Sequence, residues 1–245
     1  MQNPRSARPR KCLILLPGFD GTGRLFAPLQ QALDPHFETI VISYPTDKAL
    51  GYDALCNHVE RQLPDRDFAI VAESFSGPIA LKLASRNPKG LKAVILSASF
   101  IQNPRPVLLR AASILFGLWR LRSTIPAWAI RAFLLSKNAP RERCHAMQDL
   151  LRIIDPNVVA FRLREVVKVD ATAALANCPV PLFYLNATED RILGKKALRV
   201  LADERPDMTV FHVPGPHLLL QASPDLCARN IESALNCVDW PESST

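Results

Sequence analysis

The sequence contains no Cys-x-x-Cys pair and no histidines grouped at metal-ligand spacing. Its six cysteines, Cys12, Cys56, Cys144, Cys178, Cys227 and Cys237, are scattered along the chain. That pattern argues against a zinc site and a disulfide frame, and reads as the reduced thiols of a cytosolic protein. Long hydrophobic runs are absent as well. The longest, Ala111 to Trp119 with Ser113 and Gly117 inside it, falls well below the ~18 residues that a membrane span needs. Basic, polar Met1 to Lys11 leads into an apolar run of only Cys12 to Leu16, too short for a secretion signal. Internal repeats and low-complexity tracts are missing too. One glycine loop, Gly18-x-x-Gly21-x-Gly23, has neither the Gly-Lys-Ser/Thr of a phosphate loop nor the dinucleotide spacing. A phosphate cradle is its weaker reading. The expectation is a soluble, cytoplasmic chain.

A hydrophobic share of 48% and a charged share of 22% are those of an ordinary globular protein. Its 245 residues suffice for one sizeable core. Apolar, β-rich runs predict strands at Cys12 to Leu16, Phe37 to Ser43, Phe68 to Ala72, Leu91 to Ser97, Pro181 to Asn186 and Met208 to Val213. Helical spacing falls between them, at Leu25 to Leu33, Tyr52 to Leu63, from Phe75 to near Asn87, and Lys195 to Ala202. A last helix is expected from Pro224 to about Leu235, with Ser223 as N-cap. Strands apolar throughout and alternating with helices imply an α/β fold with a parallel sheet covered on both faces. Between Phe100 and Ala176 the rhythm breaks into proline-punctuated helical segments, one opening at Asp155-Pro156. The expected organisation is a core of 11–99 and 177–238, a helical cap at 100–176, and flexible tails at 1–10 and 239–245.

The stretch Ala72-Glu73-Ser74-Phe75-Ser76-Gly77 links the third strand to its helix. It has the small-x-Ser-x-small form of a nucleophile elbow, in which small residues permit a tight strand-to-helix turn. An ordinary N-cap serine is the plain alternative. If Ser74 is a nucleophile it needs a base, and the base needs an orienting acid. In such sheets these follow in the order Ser, acid, His, each just past a strand's C-terminal end. Glu189-Asp190 follows the fifth strand and Pro214-Gly215-Pro216-His217 the sixth. Asp190, with Glu189 as its rival, and His217 are therefore the candidates. His36, His58, His145 and His212 precede a strand or lie within other elements. The loop after the first strand and the residue after the nucleophile would supply the oxyanion-hole N–H groups, here Phe19 and Phe75.

Leu16-Pro17-Gly18-Phe19, Ala72-Glu73-Ser74-Phe75-Ser76-Gly77, Glu189-Asp190-Arg191 and Gly215-Pro216-His217 together resemble the α/β-hydrolase superfamily, from Lys11 to Val238. Within it the chain looks most similar to bacterial carboxylesterases of the pimeloyl-acyl-carrier-protein methyl ester esterase type. The resemblance implies a serine ester hydrolase with a helical cap, acting without a cofactor or metal, in the setting of biotin synthesis. It also implies a reduced, mostly parallel sheet of about six strands. The common His-Gly of the oxyanion loop is Pro17-Gly18 here. Dehalogenases and epoxide hydrolases of this fold carry Asp at the elbow, so Ser74 points to acyl transfer instead. A thioesterase or acyltransferase of the same fold stays open, as does a catalytically silent binding module. A membrane-surface lipase is a further alternative, motivated by Leu108, Leu115, Phe116, Leu118 and Trp119.

The chain carries a net charge of +7. Ile101 to Asp170 holds twelve Lys/Arg against five Asp/Glu, so all of the excess lies in the expected cap. Ten of the twelve are arginines, whose planar fork suits carboxylate and phosphate partners. A nucleic-acid partner is not expected, since aromatic platforms and a known binding module are lacking. The resemblance adds an acidic acyl carrier protein as the partner and a carrier-linked acyl ester as the substrate, beside small free esters. Arg162 and Arg164 are expected on the docking side. A solvated basic surface without a partner is the plain alternative.

Overall fold

Strand β1 (Lys11–Leu16) is apolar because both of its faces are covered. Cys12, Ile14 and Leu16 enter the core on one side of the sheet, Leu13 and Leu15 the core on the other. Side chains alternate between faces with a period of two, so a strand covered twice reads as one apolar run. Each fully buried aliphatic side chain contributes about 1.5–3 kcal/mol. The computed structural model describes residues 10–104, 128, 130–135 and 141–240. Most of both expected tails, Arg105, Arg110, Arg120 and Arg122, the side chains of Arg141 and Arg143, and the apolar group from Leu108 to Trp119 lie outside the described residues.

The other strands are β2 (Phe37–Val41), β3 (Phe68–Glu73), β4 (Leu91–Ser97), β5 (Leu182–Ala187) and β6 (Thr209–Val213). They form one sheet in the order β2-β1-β3-β4-β5-β6. Every pairing is parallel, so the mostly parallel sheet that was expected is wholly so. Helices α1 (Ala27–Leu33) and α9 (Pro224–Asn236) cover one face, and α2 (Tyr52–Glu60) and α3 (Gly77–Ala84) the other. The chain steps outward from β1 to β2, then crosses to the far side of β1 to form β3. Ligands of open α/β sheets collect at such a reversal, beyond the strands' carboxyl ends.

Register places the loops that leave this edge. Leu16 lies beside Ala72, Glu73 beside Ser97, and Ala187 beside Val213, so neighbouring strands end level with one another. Element bounds differ from expectation by a few residues, for local reasons. Helix α2 stops at Glu60 rather than Leu63, because Gln62 and Leu63 turn their N–H groups to the carbonyls three residues back, just before Pro64. Ser223 stands at the N-cap of α9 as expected, but its hydroxyl makes no cap bond and donates instead to the Pro214 carbonyl at 3.1 Å.

Between β4 and β5 the described chain contains a π-helical turn (Ile130–Leu134), α4 (Arg141–Arg152), α5 (Pro156–Lys168) and α6 (Thr172–Ala176). Helix α5 opens as expected, the Asp155 carboxylate accepting from the Asn157 N–H at 2.7 Å. The remaining helices are α7 (Gly194–Glu204) and α8 (Leu219–Ala222). Among the described residues no helix is long and apolar enough to cross a membrane. All six cysteines are free thiols, five of them buried.

Candidate active site

The turn after β3 is strained at one residue. Ser74 adopts φ = 48°, a left-handed conformation uncommon outside glycine. A short 3-10 turn, Ser74–Ser76, follows and passes directly into α3. The neighbours must be small for this turn to fit. A Cβ on Gly77 would lie 1.8 Å from Ser99 Oγ, which itself donates to the Ser74 carbonyl at 2.6 Å. Ser76 is also built in: its hydroxyl donates to the Pro17 carbonyl and lies 2.5 Å from the Tyr44 hydroxyl. With the Ser76 proton committed to Pro17, Tyr44 is the donor of that second bond.

The turn aims Ser74 Oγ at His217, with 2.8 Å to Nε2. On the other side of the ring, Nδ1 lies 2.7 Å from Asp190 Oδ2. Ser74 is 8% exposed and His217 4%, so the contacts are largely out of water. The structure thus brings together Ser74, Asp190 and His217, whereas Glu189 is exposed, its backbone N–H donating to the Gly215 carbonyl of the His217 loop at 2.9 Å. Asp190 Oδ1 accepts from the N–H groups of Ile192 and Leu193 at 2.7 and 3.0 Å, leaving Oδ2 for the imidazole. Burial opposes ionisation of this carboxyl. The His217 hydrogen bond and charge, with the two N–H groups, outweigh it and hold the pKa below the usual aspartate value. A charged Asp190 facing Nδ1–H leaves Nε2 as the acceptor for the serine proton.

Phe19 and Phe75 lie on the two loops that flank Ser74, their rings edge to face at 5.8 Å. Tyr52 stacks on Phe75 from the other side at 4.9 Å. The loop after β1 is fastened from three directions. Ser76 holds Pro17, the carboxyl of Glu73 packs against Gly18, where a Cβ would lie 3.3 Å from Oε2, and Arg162 reaches down from α5. Arg162 Nη1 donates to the carbonyls of Phe19 and Asp20 at 2.8 and 2.9 Å, and Nη2 to that of Pro45 at 3.0 Å. Its guanidinium also lies 5.9 Å from the centroids of Tyr44 and Phe75. The expectation that Arg162 faces a docking partner is therefore corrected: it is 1% exposed and spends its donors on the chain's own backbone. Arg164, two positions on, is exposed. Gly21, with φ = 72°, leaves room for the guanidinium; a Cβ there would lie 2.7 Å from Nη1.

Sequence reasoning misplaced Arg162 and passed over Glu73, Gln221 and Tyr44. Glu73 alone left a visible signal, as the one acid in an otherwise apolar strand. Among the described residues no group of His, Cys, Asp and Glu converges as a metal site.

Residues 13–230 match the Alpha/beta hydrolase family. Among curated proteins, the chain is 32% identical over 108 residues to the chloroplastic phytyl ester synthase 1 of Arabidopsis thaliana. That match covers 40% of this chain and spans only 15% of the relative's length. Among solved structures, a hydrolase from Pseudomonas aeruginosa superposes with a TM-score of 0.80 at 16% identity, over 93% of this chain and 91% of that one. An esterase from Exiguobacterium antarcticum gives 0.79 at 14% identity, over 92% of each chain. At such identities the likeness concerns the fold alone. The family match over most of the length, and a wholly parallel sheet with flanking helices, establish that the chain belongs to the alpha/beta hydrolase family.

Proposed function

We propose that the protein is a serine carboxylesterase in which Ser74 is the nucleophile, His217 the base and Asp190 the orienting acid. The observation that carries this reading is the unbroken chain from Ser74 Oγ through the imidazole to Asp190 Oδ2, launched from a residue of positive φ. Ser74 attacks the ester carbonyl while His217 Nε2 takes its proton. The backbone N–H groups of Phe19 and Phe75 receive the developing oxyanion, a single such donor contributing about 2.7–4 kcal/mol to the barrier. The tetrahedral species collapses, and His217 returns the proton to the leaving alcohol. Water, activated by the same imidazole, then releases the acid from the acyl-enzyme. The segment 100–176 serves as the cap over this site. Two measurements test the reading together, labelling of Ser74 by a fluorophosphonate and hydrolysis of short p-nitrophenyl esters. A protein that does neither is a silent member of the family.

For the natural substrate we infer a methyl ester carried on an acidic acyl carrier protein. Support comes from the concentration of the whole net charge of +7 between Ile101 and Asp170, and from the sequence resemblance. A second reading has its own support, because the curated relative is named an ester synthase. An alcohol in place of water at the acyl-enzyme would turn the same site to ester formation. Adding long-chain alcohols to the acyl-enzyme and measuring ester against free acid separates the two.

A further inference from the structure

Two buried oxygen atoms beside the elbow lack a hydrogen-bond partner, Glu73 Oε1 and Gln221 Oε1. They belong to side chains that already share one bond, since Gln221 Nε2 donates to Glu73 Oε2 at 3.2 Å. Both orphans are acceptors as an ionised glutamate and a glutamine present them, and neither can supply a proton to the other. Buried polar atoms are nearly always paired. Ser97 Oγ, beside Glu73 across the sheet, is also unpartnered, but a hydroxyl carries its own proton. One added hydrogen on Glu73 Oε1 would turn one of the two acceptors into a donor for the other.

We propose that Glu73 is a protonated positioning residue, its carboxylic O–H donating to Gln221 Oε1, so that one neutral acid–amide pair ties three loops of the site together. The loops are the nucleophile turn, to which Glu73 belongs, the oxyanion loop at Gly18, where a Cβ would lie 3.3 Å from Glu73 Oε2, and the histidine loop through Gln221 on α8. This rests on the serine-esterase reading above for its effect on rate, though not for the proton itself. The surroundings favour the neutral form. Burial, and after it the charge of Asp20 on the oxyanion loop, raise the Glu73 pKa to about 8, against the smaller opposing effects of Gln221 and Gly18. Cys227 faces it from α9, its own thiol pushed up to about 12 by burial and by Glu73. No cation is among the groups acting on Glu73. Losing the proton would break the pair and set an anion next to the donors meant for an oxyanion. Ester hydrolysis therefore declines above about pH 8.

Two experiments on the full chain test this. Carbon-13 NMR of protein labelled at the glutamate carboxyls reads the proton directly, the Glu73 signal being the one lost in Glu73→Gln. It is expected to titrate near pH 8; titration in the ordinary range near 4.5 overturns the proposal, whatever the enzyme's activity. The second experiment is the pH profile of kcat/KM. A glutamine side chain offers the same donors and acceptors as a neutral acid, so Glu73→Ala should lower kcat more than tenfold and Glu73→Gln should recover most of it. The alkaline decline should disappear in Glu73→Gln, an effect that merely filling space would not produce. An alkaline decline in Glu73→Gln unchanged from that of the parent protein overturns the link to rate.

Discussion

Arg162 Nη1 donates to the Phe19 carbonyl at 2.8 Å, joining helix α5 to the residue whose own N–H is proposed to face the oxyanion. The bond fixes the peptide that follows Phe19, and the Asp20 and Pro45 carbonyls share the same guanidinium. Burial lowers the Arg162 pKa, yet a guanidinium stays charged, and among the described residues no carboxylate pairs with it within ion-pair distance. The cation is balanced by carbonyl dipoles and aromatic faces instead.

Arg162→Met should therefore lower kcat for free esters by one to two powers of ten. Each stranded carbonyl costs about 1–3 kcal/mol, and two of the three, those of Phe19 and Asp20, belong to the loop with the proposed oxyanion donor. Arg162→Lys keeps the charge but not the fork, and should fall between the two. Steady-state kinetics checks this, and a rise in KM with kcat unchanged would place Arg162 in substrate binding instead.

Ser74→Ala should abolish both hydrolysis and fluorophosphonate labelling without loss of fold, a deficit of roughly 10⁶ in turnover. Ser76→Ala should be milder, loosening Pro17 without removing the nucleophile. Circular dichroism beside the assay separates loss of fold from loss of chemistry.

Asp190→Asn should cost about 10⁴ in kcat by favouring the wrong imidazole tautomer. Glu189→Gln should cost little, since Glu189 does not reach the ring. Equal and mild effects from both would remove Asp190 from its proposed role.

Stability should fall with rising pH across the range set by Glu73. Its folded pKa of about 8 lies above the ordinary 4.5, so between these values the folded chain holds a proton that the unfolded chain releases. The stabilisation is complete below about 4.5 and is lost as the pH climbs through about 8. Thermal melts at about pH 4 and about pH 9, on either side of this range, should show Tm falling further for the parent protein than for Glu73→Gln.

Carrier-linked methyl esters should be cleaved with a kcat/KM that drops steeply as salt rises, while small free esters change little. Arg164→Glu, an exposed change, should depress only the carrier-linked reaction. Charge reversal at Arg162 is unsuitable here, because it should impair both substrates alike. Identical salt profiles would leave the basic segment without a part in recognition.

Much of this was legible in the sequence because burial on both faces leaves an unmistakable trace. The runs at β1, β3 and β4 could be read as strands without knowing their neighbours. Ser74, Asp190 and His217 stood out because each follows a strand and the order along the chain is restrictive. Arg162 was not legible. On an amphipathic helix within an arginine-rich segment it looks like its exposed neighbour Arg164, and only the folded chain brings it to Phe19, 143 residues away. Glu73 stood in view beside the nucleophile, but its meaning depends on Gln221, whose distance in sequence no spacing rule spans.

The strand order has a consequence for how activity is acquired. β1 must be flanked by β2 and β3 before its loop is held, and His217 reaches Ser74 across 143 residues of chain. Contacts so distant in sequence are slow to form, because a long loop must close before any of them contributes. On refolding from denaturant, helical signal should return first and ester hydrolysis last. The time at which hydrolysis appears marks the arrival of β6 at the edge of the sheet.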